Sequence, residues 1–255
     1  YVIVGSGIAG LYAALIAREH GSVLVLTKGS IDEANTKYAQ GGIAAAVGAD
    51  DSADLHLEDT VGAGAGLVDA EAARILTSEA ADRIADLVRF GVPFDSTDGA
   101  IALGKEAAHS RNRIIHAGGD ATGAHIELTL ADVARHSNVT ILEHSQAVEL
   151  VVDGGLATGL VALDSRTNET EDFEGKHIIL ATGGGGQIFR VSTNPTVATA
   201  DGVALAYRAG AEVLDLEFYQ FHPTALRLPG VPVFLISEAV RGEGALLVNE
   251  AGERF

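Results

Sequence analysis

The chain opens on four apolar residues, Tyr1-Val2-Ile3-Val4. A short run without polar alternation predicts a strand covered on both faces, as in a parallel sheet. Gly-Ser-Gly-Ile-Ala-Gly at 5–10 turns the chain, and residues 8–21 then show helical apolar spacing that ends at Gly21. Residues 22–28, Ser-Val-Leu-Val-Leu-Thr-Lys, predict a second buried strand and complete a βαβ unit. Amphipathic helices are predicted within 53–64, 69–91 and 120–136, the last with Ile126, Leu130 and Val133 on one face. Three β-rich runs at 138–144, 147–153 and 155–165, parted by Gly and Asp turns, predict an antiparallel meander. Residues 167–175 read as polar turn material, and 177–186 as another buried strand that runs into glycines. A helix ending at Gly210 and an extended stretch over 212–226 follow. The order predicts an α/β, Rossmann-like nucleotide-binding domain over residues 1–217 with an inserted antiparallel β-meander.

Composition narrows the function classes. The 255 residues are 47% hydrophobic and 20% charged, which is ordinary globular material. A formal net charge of −18 argues against nucleic acid and against an anionic membrane surface. It leaves room for a small anion, because a few Arg, His and amide N–H groups can reverse the field inside one pocket. With no Cys there are no disulfides, no thiol nucleophile and no cysteine-ligated metal or iron–sulfur site, and no metal site is expected. No apolar run reaches the roughly 18 residues of a membrane span, and the start lacks a basic leader, so a cytoplasmic protein is the expectation. The chain starts at Tyr1 and contains no Met, which reads as a piece of a longer protein.

Gly5, Gly7 and Gly10 stand at GxGxxG spacing between a predicted strand and a predicted helix. The first permits a tight turn, the second lets backbone approach a pyrophosphate, and the third lets helix and strand pack closely. Phosphates then meet helix N-terminal N–H groups. The bland alternative is a packing turn with no ligand. Such a unit usually closes its second strand with an acid that holds a ribose, but here the strand ends Thr27-Lys28. Lys28 fits a phosphate-bearing cofactor such as NADP, neutralisation of a pyrophosphate, or a solvated loop. A second glycine patch, Thr182-Gly183-Gly184-Gly185-Gly186, follows a distant strand. Two such patches in one domain fit FAD better than NAD. Residues 30–47 have no clear period, which suggests a segment that lies against something.

The strings GSGIAG, YAQGGIAAA, HAGGDATG, LATGG, DGVALAYRAGA, EFYQFHPTAL and SEAVRGEGALLVNEAGERF occur in this order. Together they resemble the flavoproteins of the succinate dehydrogenase/fumarate reductase family, over essentially the whole chain. Beside Gly5 and Gly10 of the glycine turn and Thr182 and Gly183 of the second patch, already read as cofactor residues, the resemblance implies FAD contacts at Ser6, Gly7, Ile8, Ala9, Lys28 and Asp201. It implies further contacts along Asn35, Thr36, Lys37, Tyr38, Ala39, Gln40, Gly41 and Gly42. Members with covalent flavin carry a His five residues before the Gln; Asn35 stands there, so noncovalent FAD is implied. The resemblance also makes 218–255 the start of a capping domain.

For the substrate, the resemblance marks His222 as a donor to a carboxylate, against the bland reading of a structural His. It places Ser237 and Glu238 in the carboxylate pocket, with Arg241 near them. The bland reading there is a surface helix turn with a Glu238–Arg241 pair. Glu106 is otherwise a solvated loop carboxylate; in the amino-acid-oxidising branch of the family a Glu in this loop faces the substrate. An anion suits an ammonium group and would repel a plain dicarboxylate. The implied reaction is oxidation of L-aspartate to iminoaspartate, with oxygen or fumarate as acceptor. That reaction begins de novo NAD biosynthesis and suggests a functional link to quinolinate synthase. The alternatives are a succinate dehydrogenase or fumarate reductase subunit with iron–sulfur and membrane partners, and a flavin-binding module without turnover. The family's proton-transfer Arg has no counterpart before Phe255.

Overall fold

The computed structural model describes every residue except Pro223, Pro232, Glu238, Ala239, Arg241, Gly242, Glu243 and Phe255. The chain divides into two compact units, one of residues 1–38 and 126–235, the other of 39–125 and 236–255.

The first unit is built on a four-stranded parallel sheet of β1 (Val2–Val4), β2 (Leu24–Thr27), β8 (Thr140–Glu143) and β12 (Ile178–Leu180), in the order β12-β1-β2-β8. Helix α1 (Ile8–Ala17) links β1 to β2. Side chains alternate across a strand, and both faces of this sheet are covered. Val2, Val4 and Leu26 enter one core with Ala147, Leu160 and Leu205. Ile3 and Val25 enter the other with Ala14, Ala17 and Val139. That is why the first two strands read as unbroken apolar runs.

An antiparallel sheet of β9 (Ser145–Asp153), β10 (Leu156–Asp164) and β11 (Thr170–Glu174), in the order β11-β10-β9, supplies Ala147, Leu160, Ala162 and Phe173 to the first core. Two expectations are corrected here. Residues 138–144 are not part of the meander: they form β8, parallel to β2, with Ile141 and Leu142 packed in opposite cores. The meander's third strand is β11, drawn from the stretch that reads as polar turn. Four of its five residues are exposed and Phe173 alone is half-buried, so an edge strand with a wet face hides its apolar signal.

Helix α4 (Thr122–Arg135) precedes β8, and α5 (Asp201–Arg208) is followed by Gly210 at φ +89°. Helix α1 stops at Ala17 rather than at Gly21, because Glu19 and His20 make i−3 bonds to Ile16 and Ala17 that tighten the last turn. The stretch 212–226 is not a continuous extended segment. Asp215 has φ +58° and, among its described residues, only Ala225–Leu226 (β13) pairs, with Phe234–Leu235 (β14).

In the second unit, Ser52 caps α2 (Ala53–Ala63) and Asp69 caps α3 (Ala70–Phe90), which ends at Gly91 with φ +98°. Both caps follow from short polar side chains that accept the orphan N–H groups of a first turn. A small sheet places β7 (Ile114–Ile115) between β3 (Ile43–Ala44) and β6 (Leu103–Gly104), all antiparallel neighbours. The hairpin β4 (Ser96–Thr97) and β5 (Ala100–Ile101) lies just before it in sequence.

Candidate functional site

The glycine turn does what its spacing suggests. Gly5 adopts φ +109°, and a Cβ there would collide with the Ala181 carbonyl oxygen of the strand end beside it. A Cβ on Gly10 would collide with the Gly5 carbonyl, so Gly10 serves helix–strand packing. The first turn of α1 has no side-chain cap and no acidic residue, which leaves its positive end open to an anion. The buried Ser6 hydroxyl donates to Thr27 Oγ1 at 3.0 Å and ties the turn to the end of β2. Thr36 Oγ1 accepts from the Ile8 N–H at 3.0 Å and pins the segment 35–38 over the helix start.

These elements enclose a cavity of about 350 Å³ within the first unit, in the size range of small-molecule sites. Of the sequence-predicted cofactor residues, it brings together Gly5, Ser6, Gly7, Ile8, Ala9 and Lys28 with Asn35, Thr36, Thr182, Gly183 and Asp201. Lys28 Nζ donates to Thr199 Oγ1 at 2.6 Å and pairs with Asp201 Oδ2 at 2.9 Å. Gln146 Nε2 donates to the same carboxylate at 3.2 Å. An acid therefore stands beside the end of β2, delivered from α5. Lys28 is neither a solvated loop residue nor an isolated phosphate anchor.

The remaining cofactor candidates do not line this cavity. Lys37 pairs with Asp32 at 3.0 Å, and the Tyr38 hydroxyl donates to Glu33. Ala39, Gln40, Gly41 and Gly42 belong to the second unit, where Ala39 accepts from the Gly123 N–H and Gly42 leads into β3.

The substrate candidates are spread over both units. His222, in the first, sets Nδ1 3.2 Å from the Thr224 N–H. Ser237, in the second, accepts from the Val240 N–H through its carbonyl. Glu238 and Arg241 lie outside the described residues. Glu106 follows β6, half-exposed, with its carbonyl accepting from the His109 N–H and its carboxylate 4.0 Å from His116 Nε2.

The family model described as "FAD binding domain" matches residues 1–255. The chain belongs to the FAD-binding domain family. The cavity suits this cofactor: an uncapped helix start lines it and could take the diphosphate, and a Cβ added at Gly183 would meet, among the described residues, Asn35 Nδ2 alone, at 3.8 Å. As a member of that family, the chain is 51% identical to an L-aspartate oxidase from Synechocystis and 48% identical to one from Streptomyces coelicolor, in each case over all of this chain. It spans about half the length of these curated relatives, 46% and 45%. Among solved structures it superposes on a quinol fumarate reductase FrdA variant from E. coli with a TM-score of 0.92. The identity there is 30%, over 99% of this chain and 43% of that one. Mycobacterium smegmatis Sdh1 matches with a TM-score of 0.87 and 37% identity, over 98% and 45%. Among the described residues no helix is long and apolar enough to cross a membrane, and no cluster suits a metal ion.

Three polar residues escape a reading of the sequence by motif. Gln146 and Thr199 lie in stretches without a signature, and proximity to Asp201 and Lys28 is their sole signal. Glu127, in the middle of α4, is fully buried. Burial pushes its carboxyl up to about 8, against the opposing pull of the Thr36 hydroxyl.

Proposed function

We propose that this chain is the FAD-binding part of an enzyme that oxidises L-aspartate to iminoaspartate, with oxygen or fumarate as final acceptor. The observation that carries the reading is Glu106, a half-exposed carboxylate on the loop after β6, in a chain that is 51% identical to an L-aspartate oxidase. A substrate with an ammonium group gains from that anion, and a plain dicarboxylate does not.

The turn at Gly5–Ala9 and the first turn of α1 would hold the FAD diphosphate, and Lys28 with Asp201 would fix the adenosine end. Asn35 has no ring nitrogen for a covalent link, so the cofactor is held noncovalently. When bound, FAD supplies the electron acceptor for a hydride from the substrate carbon. The chain's own residues bind and orient. His222 donates to a substrate carboxylate, Ser237 and Glu238 complete that pocket with Arg241 beside them, and Glu106 faces the ammonium. The role of the segment from 218 onward as the start of a capping domain belongs to the same proposal, as does a cytoplasmic location. The product would feed de novo NAD biosynthesis, with quinolinate synthase as the consumer of iminoaspartate.

The test uses the full-length protein. Acid precipitation should leave all of the yellow flavin in the supernatant. Without oxygen, L-aspartate should bleach the flavin and succinate should not. Bleaching by succinate alone would move the protein to the dicarboxylate branch, and bleaching by neither would leave a cofactor-binding module.

A further inference from the structure

His116 follows β7 directly, so its position is set by the centre strand of the small sheet. Its carbonyl accepts from the Asp95 N–H at 2.8 Å, and the preceding Ile115 is paired with Ile43 on one side and Leu103 on the other. The ring is wedged between two glycines. A Cβ on Gly42 would lie 3.0 Å from His116 Nε2, and one on Gly104 would lie 3.5 Å from Cε1. Gly42 has no room in any case, since the same Cβ would meet the Ile115 carbonyl at 2.6 Å. Glycine backbone therefore borders the imidazole at Gly42 and Gly104 and leaves its side chain partly exposed. Among the described residues, Glu106 is the acid within 4.0 Å of it. The Asp95 carboxylate is turned to the Gly118 and Gly119 N–H groups, at 2.9 and 3.0 Å.

We infer that His116 is a positioning residue for Glu106, and through it a determinant of selectivity for a substrate that carries an ammonium group. The inference rests on the proposed role of Glu106. A Glu on an exposed loop has three rotatable side-chain bonds, and freezing them on binding costs free energy that weakens recognition. An imidazole held by two strands gives one carboxylate oxygen a fixed partner, directly after a small rotation or through one water. The second oxygen is then presented to the ammonium in a defined direction. A dicarboxylate without an amine makes no use of this arrangement, so the His116–Glu106 contact acts on one substrate class and not the other.

The experiment is a double-substitution cycle on the full-length, FAD-loaded protein, with His116→Gln, Glu106→Gln and the pair. Two quantities are read: the apparent dissociation constant and limiting rate of anaerobic flavin reduction by L-aspartate, and the dissociation constant of succinate from the flavin absorbance change. FAD content and melting temperature are checked for each variant. His116→Gln should weaken aspartate roughly tenfold, the scale of one hydrogen bond to a charged group, and leave the limiting rate and succinate binding within about twofold. In the Glu106→Gln background the second substitution should change nothing further. If His116→Gln weakens aspartate and succinate alike, or adds its full effect to Glu106→Gln, the inference is overturned while Glu106 keeps its role. If Glu106→Gln itself leaves aspartate binding unchanged, the underlying reading falls and the inference with it. Should His116→Gln lose FAD, His116→Asn is measured in the same cycle.

Discussion

Lys28 and Asp201 meet as an ion pair 2.9 Å apart although 173 positions separate them in sequence. Lys28 directly follows the second strand of the parallel sheet and Asp201 opens α5, so the pair joins two distant parts of the cavity lining. Both side chains are about three-quarters shielded from solvent, and removing one strands the other in a poorly solvated place. Lys28→Met and Asp201→Asn should each weaken FAD binding roughly tenfold, a loss of about 1.4 kcal/mol. Quenching of FAD fluorescence by the apoprotein measures it. The double variant should be no worse than either single one. Additive losses would show that the two residues act independently.

Glu127 sets a pH dependence of stability. Its carboxyl titrates near 8 in the folded protein because burial disfavours the anion, against about 4.3 in an unfolded chain. The folded state therefore binds this proton more tightly, and its contribution to stability is complete below about pH 4 and lost as the pH rises to about 8. By pH 7 the loss is on the order of 3–4 kcal/mol. Glu127→Gln should melt higher than the parent at pH 7 to 8, with the gap shrinking as the pH is lowered toward 4.5. A gap independent of pH would contradict the assignment.

Arg113 is fully buried with the fully buried Asp51, which it engages through two bonds at 2.8 Å, and it also pairs with Asp59 at 2.6 Å. Arg113→Met removes the cation and leaves the buried Asp51 carboxylate unpaired, with Asp59 losing the same partner, a loss of about 3–5 kcal/mol. Urea unfolding should show it as a lower midpoint with little change in slope. A loss below about 1 kcal/mol would mean that the site collapses around Met without penalty.

Asp59 is the acid-sensitive member of that cluster. The Ser110 N–H, helped by the Ser110 hydroxyl and Arg113, holds its carboxyl down at about 2. A depressed folded value means that its stabilising effect is present above the unfolded value near 3.9 and is lost between there and about pH 2. Asp59→Asn should be less stable than the parent at pH 6, and the two should converge by pH 2. Thermal melts across that range decide it.

Gly10→Ala should destabilise the first unit by about 3 kcal/mol, the upper end of the cost of overpacking, because a clash with backbone has no rotamer to relieve it. The collision is with the Gly5 carbonyl rather than with a movable side chain. Gly41→Ala, where a Cβ meets nothing within 4 Å, is the control and should fold normally.

Local sequence patterns account for the βαβ start, the glycine turn, the three long helices and a strand at 178–180, which is half-buried rather than buried as its apolar run suggested. Each of these rests on local rules: unbroken apolar runs, 3.6-residue spacing, or a backbone that only glycine allows. Asn35 and Glu106 drew attention in the sequence through the family resemblance, and the structure places Asn35 on the cavity wall. What only the tertiary structure decided depends on contacts distant in sequence. Residues 138–144 and 170–174 carry no local mark of which sheet they join; pairing with β2 and with β10 settles it. The same holds for Asp201 beside Lys28 and for His116 near Glu106, side chains brought together by strands and helices that neither residue specifies. Glu127 is the sharpest case: a charged residue inside a helix pattern reads as solvent-facing, and only packing around α4 buries it.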